Sequence, residues 1–170
     1  LMDYMGLPIQ ESLPAVVDRL TAAGLKDRVK VVASGKLITP AAVAWALCIG
    51  ADFVVSARGF MFALGCIQAL QCNKNTCPTG ITTHDKDLQT GLNPDDKAER
   101  VANFHRNTLH ALAELVAAAG LSHPGELRPH HVFRRAAQDL PNGLLIFPEG
   151  HRSRDGEVRP FRTVGVEAML

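Results

Sequence analysis

The sequence predicts an α/β fold built on a parallel sheet. Two short runs rich in valine, residues 29–33 and 52–56, each follow a helix-like segment, residues 11–23 and 41–49. Continuous apolar runs are typical of strands that are buried on both faces of a parallel sheet. Alternation of helix and strand with short turns is typical of α/β proteins. We therefore expect two parallel strands, each buried on both faces and each preceded by a helix.

Capping signals define the ends of the predicted helices. Thr39 is a good N-cap with Pro40 at the first helical position, and Gly50 stops the second helix. Residues 60–71 are apolar and are predicted to be helical, whereas residues 84–92 form a polar connection. An Asn-Pro-Asp-Asp start at residue 93 introduces a long helix over residues 97–119. Cys48, among apolar neighbours of the second helix, is predicted to be a buried structural thiol.

Composition and charge narrow the class of protein. Of the 170 residues, 46% are hydrophobic and 21% are charged, which is typical of a globular domain. A net charge of +1 argues against a nucleic-acid partner. No apolar run reaches the ~18 residues of a membrane span. Three clustered cysteines favour a reduced, cytoplasmic compartment and a metal site over a secreted disulfide framework.

The cysteine cluster is the strongest chemical signal. Cys66, Cys72 and Cys77 have the spacing C-x5-C-x4-C, in a loop that also contains asparagines, threonines and glycines. Thiolates are soft ligands for iron–sulfur clusters and zinc. Three cysteines without a nearby fourth favour a cluster with three protein ligands over a four-cysteine zinc site. The alternative is that three reduced cysteines simply pack in a loop and a helix end.

Two glycine-containing turns follow the two predicted strands. Ligands of parallel sheets bind beyond the carboxyl ends of the strands, where such turns and a basic side chain can hold a phosphate. The alternative is that both turns contain only ordinary turn glycines and surface charges. The candidate phosphate-binding residues are Ser34, Gly35, Lys36, Ser56, Ala57, Arg58 and Gly59.

The run from residue 33 to residue 85 resembles the FMN-binding domain of glutamate synthases. The resemblance extends over about residues 2–131, and C-x5-C-x4-C is its most specific part. It implies that the chain is the C-terminal portion of a (β/α)8 TIM barrel with an iron–sulfur loop. It also implies that the two turns bind the FMN phosphate, and that Cys66, Cys72 and Cys77 hold a [3Fe-4S] cluster. Lys36 stands where conventional glutamate synthases have a second glycine.

The resemblance implies a flavin- and iron–sulfur-dependent oxidoreductase that forms glutamate by reductive amination of 2-oxoglutarate. Glutamine or ammonia is the implied nitrogen source, and a reductase subunit or a ferredoxin is the implied electron donor. Because the sequence starts at Leu1 and shows only two clear strands, we expect a C-terminal piece of a larger protein. A non-catalytic electron-transfer or assembly piece is the alternative, since a partial barrel does not enclose flavin and substrate by itself.

The end of the chain follows a different pattern. Residues 144–166 resemble the FPEG block of glycerophosphate-type acyltransferases, with Glu149, Gly150 and Arg152 at the phosphate-binding positions of that block. The HxxxxD pair that supplies the general base in that family is absent from the sequence. We predict a barrel-like part over residues 1–141 and an unrelated short tail over residues 142–170. An acyltransferase fragment is therefore a further alternative.

Overall fold

The computed structural model describes residues 5–133. The chain divides into two compact units, Leu1–Val132 and Phe133–Leu170, and the first is described below. The predicted boundary at residue 141 and the acyltransferase-like tail lie outside the described residues, so both stay predictions.

Helices and strands alternate through the first half of the described chain. The two strands pair in parallel, with Val32 opposite Phe53 and Ser34 opposite Val55. This arrangement agrees with the predicted α/β class, although the described residues contain two strands and not a closed barrel. Three short 3-10 turns occupy Lys26–Arg28, Pro124–Glu126 and Pro129–His131. The main elements are α1 (Ile9–Ala22), β1 (Val32–Ser34), α2 (Pro40–Ile49), β2 (Phe53–Val55), α3 (Ala57–Ala63), α4 (Lys86–Gln89) and α5 (Pro94–Ala118).

The helix boundaries follow the capping residues. The Thr39 hydroxyl accepts a hydrogen bond from the Ala42 N–H, and Gly50 ends α2 in the left-handed conformation with φ of 112°. At the start of α5 the Asn93 side chain accepts a hydrogen bond from the Asp95 N–H. These side chains satisfy N–H groups that the first helical turn leaves without a partner. The predicted starts of α2 and α5 are thus confirmed. No helix within residues 5–133 has the length and hydrophobicity needed to cross a membrane.

The core of this unit lies between α1, α2 and one face of the sheet. It includes Leu13 of α1, Ala33 of β1 and Ala46 of α2, all buried. A second cluster joins α2 to α5 through Cys48 and Val116. The prediction that Cys48 is a buried thiol is confirmed, and burial raises its pKa.

Asp52, just before β2, fixes the start of the sheet. Its carboxylate accepts hydrogen bonds from the Val31 N–H at 2.8 Å, from Lys26 at 2.9 Å and from Lys30 at 3.1 Å. These bonds, led by the one from Val31, hold the pKa of Asp52 well below its usual range. The carboxylate therefore joins the entry of β1 to the entry of β2 and helps to align their carboxyl ends.

The strands are not buried on both faces, so that prediction was wrong for the described chain. Ala33 is only 2% exposed, whereas Val32 and Phe53 are 56% and 59% exposed. Successive side chains of a strand point to opposite faces of the sheet. Helices α1 and α2 cover one of these faces, and no described residue covers the side chains on the other.

The predicted helix over residues 60–71 was right for residues 60–63 and wrong for residues 64–71. Helix α3 starts earlier, at Ala57, and ends at Ala63. Gly65 then adopts φ of 101°, and its N–H donates to the Phe62 carbonyl while the Cys66 N–H donates to the Met61 carbonyl. This pair of bonds is a Schellman motif, which ends a helix at a left-handed glycine.

Candidate functional site

The turn after β1 and the residues after β2 lie side by side at the carboxyl ends of the strands; the predicted second turn is in fact the start of α3, which begins at Ala57. Ser34 ends β1 beside Val55, the last residue of β2, so the segments that follow both strands leave from the same edge. Together these segments line one cavity of about 600 Å³, within the size range of small-molecule sites. Cys66 and Cys72 line the same cavity. The turn residues that line it are Ser34, Gly35, Lys36, Ser56, Ala57 and Arg58.

Gly59 is the one candidate turn residue that is not among the residues lining this cavity. It is buried within α3, where an added Cβ would lie 2.8 Å from the Phe104 ring of α5. Gly35 is also restricted by packing, because a Cβ there would lie 2.9 Å from the Ile9 side chain. Both glycines thus let helices approach the turns closely, a role that the sequence did not reveal.

Ser56 of the cavity wall carries a hydroxyl that has no partner within the described chain. Ser56 Oγ is buried and makes no hydrogen bond there. This atom lies 2.7 Å from the position of a Cβ added to Gly59, a residue that does not line the cavity, so the hydroxyl faces the packing inside α3 and not the cavity. Arg58 brings a cationic side chain to the same wall, and Lys36 adopts the left-handed backbone with φ of 58°.

The three cysteines line a second, smaller pocket. The Schellman motif at the end of α3 places Cys66 at the start of an irregular segment that continues to residue 85. Cys66 is half-buried, Cys72 is exposed and Cys77 is buried, and all three are free thiols. The pocket that they share also contains Thr79 and Thr82 in its wall. The structure therefore brings the three predicted ligands together around one concave surface.

Hydrogen bonds within the loop hold this arrangement. Asn75 adopts φ of 62°, and its carbonyl accepts a 2.7 Å hydrogen bond from the buried Thr83 hydroxyl. The Gln89 side chain of α4 donates to the Thr83 carbonyl at 2.9 Å, which ties the loop to the helix that follows. The Gly80 N–H donates to the Cys77 carbonyl at 3.2 Å. The sequence identified Cys77 as a candidate ligand but gave no sign of these hydrogen bonds, which join residues 3 to 8 positions apart in an irregular segment.

The surroundings of Cys77 favour its thiolate. The Thr79 hydroxyl lies 3.4 Å from Cys77 Sγ, and this hydrogen bond is the main cause that lowers the pKa of Cys77 to about 6. The Thr82 backbone N–H and hydroxyl lower it further, although that hydroxyl does not reach full hydrogen-bond geometry with any described atom. Because the thiolate is the form that binds metal, Cys77 is prepared as a ligand at neutral pH.

The donor set suits a cluster better than a single ion. In residues 5–133, no three His, Cys, Asp or Glu side chains are placed to hold one metal ion. Ligands of an iron–sulfur cluster bind separate irons and so need not converge on one point. The pocket itself has a volume of about 20 Å³, little more than one water needs. A cluster would therefore also need space from the adjoining cavity, which Cys66 and Cys72 line as well.

Comparisons with known proteins place this site in a family context. Residues 1–122 match the family model described as the conserved region in glutamate synthase. The glutamate synthase large subunit-like protein YerD of Bacillus subtilis is 47% identical over 135 residues, which are 79% of this chain and 26% of that protein. The archaeal glutamate synthase (NADPH) of Methanocaldococcus jannaschii is 36% identical over 126 residues, 74% of this chain and 25% of that protein. The chain thus spans about a quarter of the length of these relatives.

Proposed function

The chain belongs to the family defined by the conserved region in glutamate synthase, and from this premise we propose that it forms a cofactor-binding part of a flavin- and iron–sulfur-dependent oxidoreductase. In this proposal the chain is part of a (β/α)8 barrel. The reaction is the reductive amination of 2-oxoglutarate to glutamate, with glutamine or ammonia as the nitrogen source. A reductase subunit or a ferredoxin supplies the electrons in the cytoplasm.

One observation carries the proposal. The turns after β1 and β2 and two of the three cysteines line a single cavity of about 600 Å³. Residues 34–36, 56–58, 66 and 72 are distant in sequence, so this meeting depends on the parallel pairing of the strands. A cavity that offers a cationic turn on one side and thiol ligands on the other suits a phosphate-bearing redox cofactor next to a metal cluster.

The two turns provide the groups that hold the FMN phosphate in this proposal. The Arg58 guanidinium supplies positive charge, and residues 56–58 supply backbone groups at the start of α3. Residues 34–36 supply backbone groups at the end of β1. When bound, FMN supplies the hydride and electron chemistry, while these residues fix its position and exclude water.

The three cysteines hold a [3Fe-4S] cluster in this proposal. Cys77 offers a thiolate that needs little deprotonation, because the Thr79 hydroxyl lowers its pKa to about 6. Cys66 is fixed by the end of α3, and Cys72 is exposed on the loop between the other two ligands. The exposure of Cys72 leaves one side of the site open, so iron can enter there.

Anaerobic reconstitution of the 170-residue chain with iron and sulfide tests the cluster. We expect about three irons per chain and sulfur-to-iron charge-transfer absorption. Cys72→Ser should lose most of both signals. Cys48→Ser is the matched control, because the Cys48 thiol is buried between α2 and α5, away from the loop. An unchanged spectrum in Cys72→Ser, or equal losses in the two variants, would refute the cluster.

Flavin binding by the same chain tests the other half of the site. Arg58→Ala should weaken FMN binding about 10- to 100-fold, because a hydrogen bond to a charged group contributes about 1.5–3 kcal/mol. Arg106→Ala is the control, since Arg106 is exposed on α5 and bonds to Asn103. A chain that binds the cluster but not FMN would instead support the alternative of an electron-transfer piece.

A further inference from the structure

Thr82 carries a buried hydroxyl in the cysteine pocket, beside Cys77. Its Oγ1 is inaccessible to solvent and makes no hydrogen bond at full geometry with any atom of residues 5–133. Thr82 also lines the pocket formed by Cys66, Cys72 and Cys77. Because this oxygen has no exposed surface, its available acceptor is the Cys77 sulfur already beside it, and the hydroxyl lowers the pKa of Cys77.

Thr79 lines the same pocket and already uses its hydroxyl on sulfur. Its Oγ1 lies 3.4 Å from Cys77 Sγ, within the range of a hydrogen bond to sulfur. The neighbouring threonines behave differently. The Thr83 hydroxyl bonds to the Asn75 carbonyl, and the Thr76 hydroxyl bonds to the Gln71 side chain. Of these four threonines, Thr79 and Thr82 are the two in the pocket wall.

We propose that Thr79 and Thr82 are positioning residues for the iron–sulfur group: both hydroxyls donate hydrogen bonds to Cys77 Sγ and orient it as a ligand of the bound cluster. This inference rests on the proposed cluster at the three cysteines. Hydrogen bonds to cluster sulfurs withdraw electron density and stabilise the reduced state. The two hydroxyls therefore raise the reduction potential of the cluster and hold the loop in its liganding conformation.

The test compares reconstituted variants of the full 170-residue chain. Thr79→Val and Thr82→Val remove a hydroxyl while keeping a β-branched side chain of similar shape. Thr82→Ser restores the hydroxyl without the methyl group. Thr76→Val is the matched control, because Thr76 does not line the pocket and its hydroxyl bonds to the Gln71 side chain and not to a cysteine. The measurements are iron per chain, the midpoint potential from an anaerobic redox titration, and far-ultraviolet circular dichroism.

We expect both valine variants in the pocket to shift the midpoint potential to more negative values, and Thr82→Ser and Thr76→Val to match the wild type. Loss of iron in Thr82→Val, with unchanged circular dichroism and normal loading of Thr82→Ser, supports the proposal equally. Wild-type potentials in both pocket valine variants overturn it while leaving the cluster in place. Loss of iron in Thr82→Ser as well as Thr82→Val also overturns it, because packing of the methyl group is then what matters. A wild-type chain that assembles no cluster overturns both this inference and the proposed cluster.

Discussion

Substitution of Gly80 by alanine should disturb the cysteine loop more than its local conformation alone would suggest. Gly80 adopts φ of 75°, a left-handed conformation that favours glycine. A Cβ at this position would overlap the Leu88 carbonyl oxygen and would lie 3.1 Å from the Leu92 nitrogen. Both neighbours are backbone atoms, so they cannot move aside as a flexible side chain can.

A second glycine with a similar φ separates the conformational cost of Gly80→Ala from the cost of its contacts with neighbouring backbone atoms. Gly120 has nearly the same φ of 76°, but no atom lies within 4 Å of an added Cβ. Gly120→Ala should therefore lose about 1 kcal/mol of unfolding free energy, the conformational cost of a left-handed alanine. Gly80→Ala should lose about 2–4 kcal/mol, because displacing packed groups adds about 1–3 kcal/mol to the same conformational cost.

Urea denaturation of the two variants, followed by far-ultraviolet circular dichroism, measures this difference. Iron content after reconstitution provides a second measurement, since the Gly80 N–H bonds to the Cys77 carbonyl. We expect Gly80→Ala to bind less iron than Gly120→Ala. Equal losses of unfolding free energy in the two variants would show that the loop does not pack tightly against residues 88–92.

Three further predictions concern the scaffold. The lowered pKa of Asp52 means that the folded chain favours the ionised carboxylate. The unfolding free energy of the wild type should therefore exceed that of Asp52→Asn by about 1–2 kcal/mol at pH 7. This advantage should disappear as the pH falls below about 4 towards the lower pKa of the folded chain; urea titrations at pH 7 and pH 3 that give the same difference would contradict it. Gly59→Ala should lose about 1–2 kcal/mol of unfolding free energy through overpacking against Ser56 Oγ and the Phe104 ring; wild-type stability of this variant in urea would show that both neighbours move aside freely. Leu37→Ala should lose about 2–4 kcal/mol, because Leu37 is only 2% exposed in the core between the helices and the sheet; a loss below about 1 kcal/mol in urea would show that this core is loosely packed.

The features that the sequence predicted well are local ones. The start of α2 depends on Thr39 and Pro40, and its end depends on Gly50, all within one helical turn of the boundary that they define. The start of α5 likewise depends on a residue next to the helix, the N-cap Asn93. The predicted helix over residues 60–71 extended too far because apolar composition was read as helix, although Gly65 supplied a stop signal within that run.

The sequence identified only some of the residues of the candidate site. The spacing of Cys66, Cys72 and Cys77 identified them as candidate ligands, but it gave no information about the hydroxyls around them. Thr79 and Thr82 resemble any other loop threonines until the backbone curls and brings both into the pocket wall. Likewise, Gly59 resembled a turn glycine, although the structure places it against Phe104.

By itself the sequence determined the alternation of helix and strand, the ends of the capped helices and the presence of a thiol-rich loop, because each depends on residues that are adjacent along the chain. Only the tertiary structure decided that both turns and two cysteines line one cavity and that one face of the sheet is left uncovered by described residues. These features depend on the parallel pairing of β1 with β2 and on how the helices pack against them. Such contacts join segments that are tens of residues apart, and no local pattern encodes their distances.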